Sequence, residues 1–416
     1  MWDPYAELQK FQLSNGLTVY LGTWDRPWLK AGIVVHSGAR NDPDDRQGLA
    51  HFLEHLVSEN MQAWTSETAR QFFQRFGGTA GFGSTSYSDT TYGFSVPLEG
   101  DNLAFALNLF GHMLMDCEIN QFIERERQVI IREYTKRFPM SWMADRVLKR
   151  RQLLFPGTKL ANYIRPLGTP KSILSISKDE IQAFYDRYYT PANMTIVAVG
   201  DIKPDEFATM LEGSPFGLEK PGVRTPLANA IRHFNPPIEN RLIHKVSDYS
   251  LQVADQSAIE CFAAIPGDVK PKVLARVSNV LGDILYNEIR EERGWTYGFG
   301  TVRENYCEAY EFCIQGAFPW EGLAIIEDLI DECLARSIKD EDRIRHHIHS
   351  SVMGYKITDI HASEVIEGAM NDLRLYHRIK PLMDERDESA DITVEEVKEG
   401  LMMLSRDRRW TVIMHP

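Results

Sequence analysis

Gly48-Leu-Ala-His51-Phe-Leu-Glu54-His55-Leu56 breaks a series of strand-like runs with apolar residues at helical spacing. Ahead of it, Lys10-Phe-Gln-Leu and Leu17-Thr-Val-Tyr-Leu flank Ser14-Asn-Gly, a strong hairpin signal. Lys30–His36 forms a third strand-like run. Behind it, Thr90–Val96 alternates like a strand and stops at Pro97, and amphipathic helices are predicted over 100–116 and 119–137. Strands and helices therefore mix in one unit, an α+β arrangement.

Further along, Ser177 and Glu180 form a capping box opening a helix that Pro191 stops, and the strand Met194–Gly200 comes next. Gly213–Asn240 is rich in glycine and proline and reads as an extended linker. Beyond it the order of elements recurs. Tyr310-Glu-Phe-Cys-Ile314 echoes Tyr92-Gly-Phe-Ser-Val96, and a helix over 393–404 followed by Trp410–Met414 echoes the helix and strand that end the first half. This predicts a two-fold repeat of α+β domains: 1–215, a linker at 216–240, and 241–416. A chain of 416 residues suits two domains of about 200 residues each.

His51-Phe-Leu-Glu54-His55 is an H-x-x-E-H array. On a helix, residues four apart share a face, so both imidazoles can reach one ion, with Glu54 beside them as a base. Zinc takes three protein ligands in a catalytic site and keeps a position open for water, which it acidifies. Glu126 and Glu133 lie two turns apart on one face of a second helix.

Together with Glu133 in Glu124-Arg-Glu-Arg-Gln-Val-Ile-Ile-Arg-Glu133, 78 residues after His55, the array closely resembles the pitrilysin/insulinase family of inverzincins. Ser37-Gly-Ala-Arg40, Gly77-Gly78, Thr90-Thr-Tyr92 and Tyr188–Met194 through Val199-Gly-Asp201 extend the match over nearly the whole chain. The type resembled is the single-chain, half-length one related to mitochondrial processing peptidase subunits. The resemblance implies that His51, His55 and Glu133 bind Zn2+, that Glu54 is the catalytic base and that Glu126 supports the site. It also implies that Arg290 and Tyr297, in Arg290-Glu-Glu-Arg-Gly-Trp-Thr-Tyr297, reach the substrate across a clamshell of two homologous domains. A guanidinium can grip a peptide carbonyl and a phenol can donate to an oxyanion.

The expected activity is a zinc metalloendopeptidase acting on peptides or unfolded segments in a closed chamber, with the peptide adding as a strand to a sheet edge. The alternative is a non-catalytic or partner-dependent subunit. A structural zinc site is disfavoured, because no fourth ligand is apparent. The chain departs from the family at Thr79-Ala-Gly-Phe-Gly-Ser84, where Asn-Ala is usual, and at Leu56–Asn60. His346, His347 and His349 read as a solvated cluster, not a second metal site.

A net charge of −13 disfavours nucleic acid as a partner and permits long-range attraction of basic or neutral peptides. Five scattered cysteines without a CxxC pair suit a reducing compartment, and neither a secretory signal nor a presequence is evident. A cytoplasmic location without membrane attachment is therefore expected, as a monomer, a homodimer or a heterodimer with a related subunit.

Overall fold

The computed structural model describes residues 3–59, 64–119, 121–245, 256–354 and 361–415. The chain folds into two compact α+β units.

The first unit is built on a six-stranded sheet: β1 (Gln9–Gln12), β2 (Thr18–Thr23), β3 (Trp28–Val35), β4 (Thr79–Thr85), β5 (Thr90–Pro97) and β6 (Met194–Gly200). Its spatial order is β1-β2-β6-β3-β5-β4, with β2 and β6 parallel and the other neighbours antiparallel. The Asn15-Gly16 turn joins β1 to β2 with Gln12 opposite Thr18, and the Asn15 side chain accepts from the Leu17 N–H. Helices of the first half are α1 (Leu49–Glu59), α2 (Ser66–Arg75), α3 (Asn102–Met115), α4 (Ile123–Arg137), α5 (Ser141–Leu154), α6 (Pro170–Ser175), α7 (Lys178–Tyr188) and α8 (Pro204–Glu212). Ser177 caps α7 with Glu180 returning the bond, the capping box expected from sequence.

The second unit carries β7 (Arg241–Lys245), β8 (Gln256–Pro266), β9 (Phe299–Asn305), β10 (Ala309–Pro319) and β11 (Arg409–His415), ordered β7-β11-β8-β10-β9. Its β7–β11 pair is parallel and its other neighbours are antiparallel. Helices of the second half are α9 (Pro271–Leu285), α10 (Ile326–Lys339), α11 (Glu341–Gly354), α12 (Ala362–Tyr376), α13 (Leu382–Ala390) and α14 (Val394–Met402). Strand for strand the second sheet repeats β2-β6-β3-β5-β4 of the first, as the recurring order of elements predicts.

The units do not divide at a single cut in the linker. Residues 146–162, which include most of α5, belong to the second unit, and residues 359–382, with α12, belong to the first. Burial explains the exchange. β6 is buried along its whole length because alternate residues enter different cores. Ile196 and Ala198 join the core under α1 and α7, whereas Val197 and Val199 pack with Val34 against Val365, Ile366, Ala369 and Leu373 of α12. In the second unit Ile259, Cys261, Phe312 and Ile314 point into one core. The intervening Glu260 and Glu311 meet α5, where Arg146 lies 2.8 Å from Glu260 and Arg150 3.2 Å from Glu311. No helix among the described residues is long and apolar enough to cross a membrane.

Candidate metal centre

The N-terminus of α1 is fixed before its histidines begin. Asp42 accepts from the Gly48 N–H at 2.7 Å and the Ala50 N–H at 2.9 Å, satisfying donors the first turn leaves open. Gly48 has φ +93°, and a side chain there would strike Leu167 and Ile173, so the loop before α6 sits tightly on the start of α1.

From that start the helical period turns His51 and His55 to one face. Their Nε2 atoms each lie 3.8 Å from one oxygen of Glu133 on α4. One donor atom from each of the three residues falls within 4.8 Å of the others, and no other such group occurs among the described residues. Tetrahedral zinc with bonds of about 2.1 Å spaces its donors about 3.4 Å apart, close to the two 3.8 Å separations that Glu133 makes with the imidazoles. The residues fit zinc.

Their electrostatics fit as well. Burial, aided by His55, lowers the His51 pKa to about 3, which leaves a neutral imidazole, the form that binds metal. His55 Nδ1 lies 3.0 Å from Glu126, so its orientation is set by a carboxylate behind it. Burial lowers the His55 pKa, but the bond to Glu126 and the charges of Glu54, Glu126 and Glu133 outweigh it and leave a net rise. Arg125 holds the other oxygen of Glu126 at 2.7 Å, and these partners keep Glu126 below the usual carboxylate range despite its burial.

Glu54 is buried, 4.0 Å from His51 Nε2, and Thr85 Oγ1 donates to it at 2.9 Å. Burial raises its pKa, the direction a general base near neutral pH requires. Thr85 ends β4, the edge strand, whose pairing with β5 slips between Gly81 and Ser84. At φ +144°, Gly83 sits in that irregularity, and a Cβ there would fall 2.3 Å from Glu54 Oε1. Only glycine lets the edge strand approach the base this closely. Sequence reading did not single out Asp42, Thr85 or Gly83; the Gly-Phe-Gly of β4 was the one available signal.

The stretch at which the family's Asn-Ala is absent, Thr79–Ser84, is thus the edge strand beside the metal residues. Arg290 and Tyr297 lie together in the second unit. The guanidinium stacks 4.5 Å from the Tyr297 ring centroid, and Tyr297 is 88% exposed, free to meet another molecule. His346, His347 and His349 lie on α11, with His347 2.8 Å from Asp283.

Comparison with known proteins places the chain in a class. Residues 26–162 match the insulinase model of peptidase family M16, and residues 175–345 match that family's inactive-domain model. The chain belongs to the M16 peptidase family. It is 26% identical over 208 residues to a probable zinc protease, PqqL, of Escherichia coli, and 29% identical over 204 residues to a PQQL-like zinc protease of Arabidopsis thaliana. Those matches cover 48% and 47% of this chain but only 22% and 21% of the two relatives. A solved structure described as a peptidase M16 inactive domain from Pseudomonas fluorescens superposes with a TM-score of 0.80 at 19% identity, over 98% of both chains.

Proposed function

We propose that the protein is a zinc metallopeptidase that hydrolyses peptides or unfolded polypeptide segments. The carrying observation is the convergence of His51, His55 and Glu133 beside a buried Glu54 that is bonded to the edge strand. Zinc would supply Lewis acidity at this point. Glu54 would take the proton of the attacking water and pass it to the leaving amine, while Thr85 holds the carboxylate in place. A peptide laid along β4 as an added strand would find its main chain fixed next to that base.

The second half enters this reading as substrate clamp. The family's inactive-domain model matches residues 175–345, which include Arg290 and Tyr297, and these would offer a cation and a phenol to a peptide carbonyl as the halves close into a chamber.

The test is digestion of a mixed peptide library followed by mass spectrometry. Wild type should cleave internal bonds and carry about one zinc per chain. Chelator should abolish cleavage and added zinc restore it. Cleavage that persists in a zinc-free preparation would overturn the reading.

A further inference from the structure

The pocket at the metal residues measures about 660 Å³, and its charge is opposite to that of the protein. Beside His51, Glu54, His55 and Glu133, its wall carries Lys136, Arg137 and Arg165. None of these three cations forms an ion pair with another described residue, although the chain holds 59 acidic residues against 46 lysines and arginines. The two carboxylates in the wall are otherwise engaged, Glu54 with Thr85 and Glu133 with both imidazoles.

Each cation has a definite reason to be there. Lys136 and Arg137 come three and four positions after Glu133 on α4, so they share its face. The last turn of a helix also favours cations, which accounts for their presence but not for their lack of partners. Arg165 has no helix to explain it. Its φ is +110°, a region that side-chain-bearing residues rarely adopt, and Pro166 after it restricts the backbone further. The surroundings impose this conformation. Leu167 packs on Gly48 at the head of α1, and Ser172 donates to the Gln47 carbonyl at 2.7 Å. The loop is pinned to the helix bearing the histidines, and Arg165 is held at the pocket wall.

We propose that Lys136, Arg137 and Arg165 are specificity-determining residues that select a substrate carboxylate near the scissile bond, either an Asp or Glu side chain or a free C-terminus. This rests on the peptidase reading above and names its substrate class. Long-range attraction by an acidic protein would favour basic peptides, but the local field at the pocket favours acidic ones, and contact distance decides selectivity.

The test uses quenched fluorescent peptides that differ only in a Glu, Gln or Lys stepped from three positions before the cleaved bond to three after it, plus one pair ending in a free carboxylate or an amide. At one register kcat/KM for Glu should exceed that for Gln about tenfold, and 0.5 M salt should shrink the ratio. A preference for the free terminus over the amide would instead locate the carboxylate at the chain end. In Arg165→Gly, which also suits the backbone, and in Arg137→Ala and Lys136→Ala, that ratio should fall about threefold or more while zinc content stays constant. Equal handling of Glu and Gln at every register and of both termini, or a ratio unmoved in all three variants, overturns the proposal. If wild type cleaves nothing, the peptidase reading fails separately. Anisotropy binding of the Glu and Gln peptides to Glu54→Gln protein then decides selection without turnover.

Discussion

The two sheets share one topology and differ in what their helices bring to it. In the first unit α1 and α4 present two imidazoles and a carboxylate to a common point. In the second, the segment after α9 presents Glu288, which Arg293 holds at 2.9 Å and Arg336 at 2.5 Å. A carboxylate between guanidiniums has its charge paired, whereas Glu133, facing two imidazoles, offers an oxygen to the same point as they do. The repeat thus preserves a scaffold of register and burial, and a few side chains decide which copy gathers a cluster able to hold a metal.

The sharpest way to break this contrast is to disable the acid in each copy. Glu54→Gln should retain zinc and lose about 10²–10⁴ in kcat/KM, because an amide cannot accept the water's proton. Glu288→Gln should leave kcat/KM near wild type and lower the melting temperature. Steady-state kinetics with elemental analysis checks both, and similar losses from the two variants would refute a division of labour between the halves.

The helices exchanged between halves differ as much as the sites do. α12 covers the first sheet with Val365, Ile366, Ala369 and Leu373, whereas α5 covers the second with Arg146, Arg150 and Arg151 over Glu260, Glu304 and Glu311. Removing one member of a buried ionic group strands the others. Arg151→Met should therefore cost about 3–5 kcal/mol, with both Arg151 and Glu311 almost wholly buried. Leu373→Ala, a cavity in an apolar face, should cost about 2–4 kcal/mol. Urea unfolding measures both, and an Arg151→Met protein as stable as wild type would mean the ionic face contributes nothing net.

A smaller effect is expected from the clamp. Tyr297→Phe removes only a hydroxyl from an exposed ring and should lower kcat/KM about a hundredfold with zinc content and folding intact, if the phenol donates to the oxyanion. An unchanged rate would confine the chemistry to the first unit.

How much of this was legible in the sequence depends on the range of the interaction. The metal-bearing helix, the Asn15-Gly16 hairpin, the capping box at Ser177 and the paired order of strands are written in local spacing. The exchange of α5 and α12 is not, because Arg146–Glu260 and Val34–Val365 are contacts between segments more than a hundred residues apart. A helix with an apolar stripe does not say which sheet it will cover. Thr85 and Gly83 stayed hidden for a similar reason, since a threonine and a glycine acquire meaning only when the edge strand lies against Glu54.

The smallest expected effect tests a polar cluster of the first unit that lies away from the metal residues. His36 Nε2 lies 2.9 Å from Thr195 Oγ1 and 2.7 Å from Arg224 Nη2, and the His377 ring packs 4.8 Å from it. Burial, then the charge of Arg224, lowers both histidines, His377 to about 4 with Arg40 contributing. The folded protein therefore keeps these rings neutral where the unfolded chain takes up protons. Stability is fully present above pH 6.5 and is lost as pH falls from there towards 4. His377 is only half-buried, so solvent screening limits its share to about 1 kcal/mol at pH 5. Its φ of +51° suits asparagine, so His377→Asn should fold and should lose that much of its pH dependence. Urea midpoints of both proteins at pH 7 and pH 5 give the comparison. A stability difference between them that does not change with pH would mean His377 is held by packing alone.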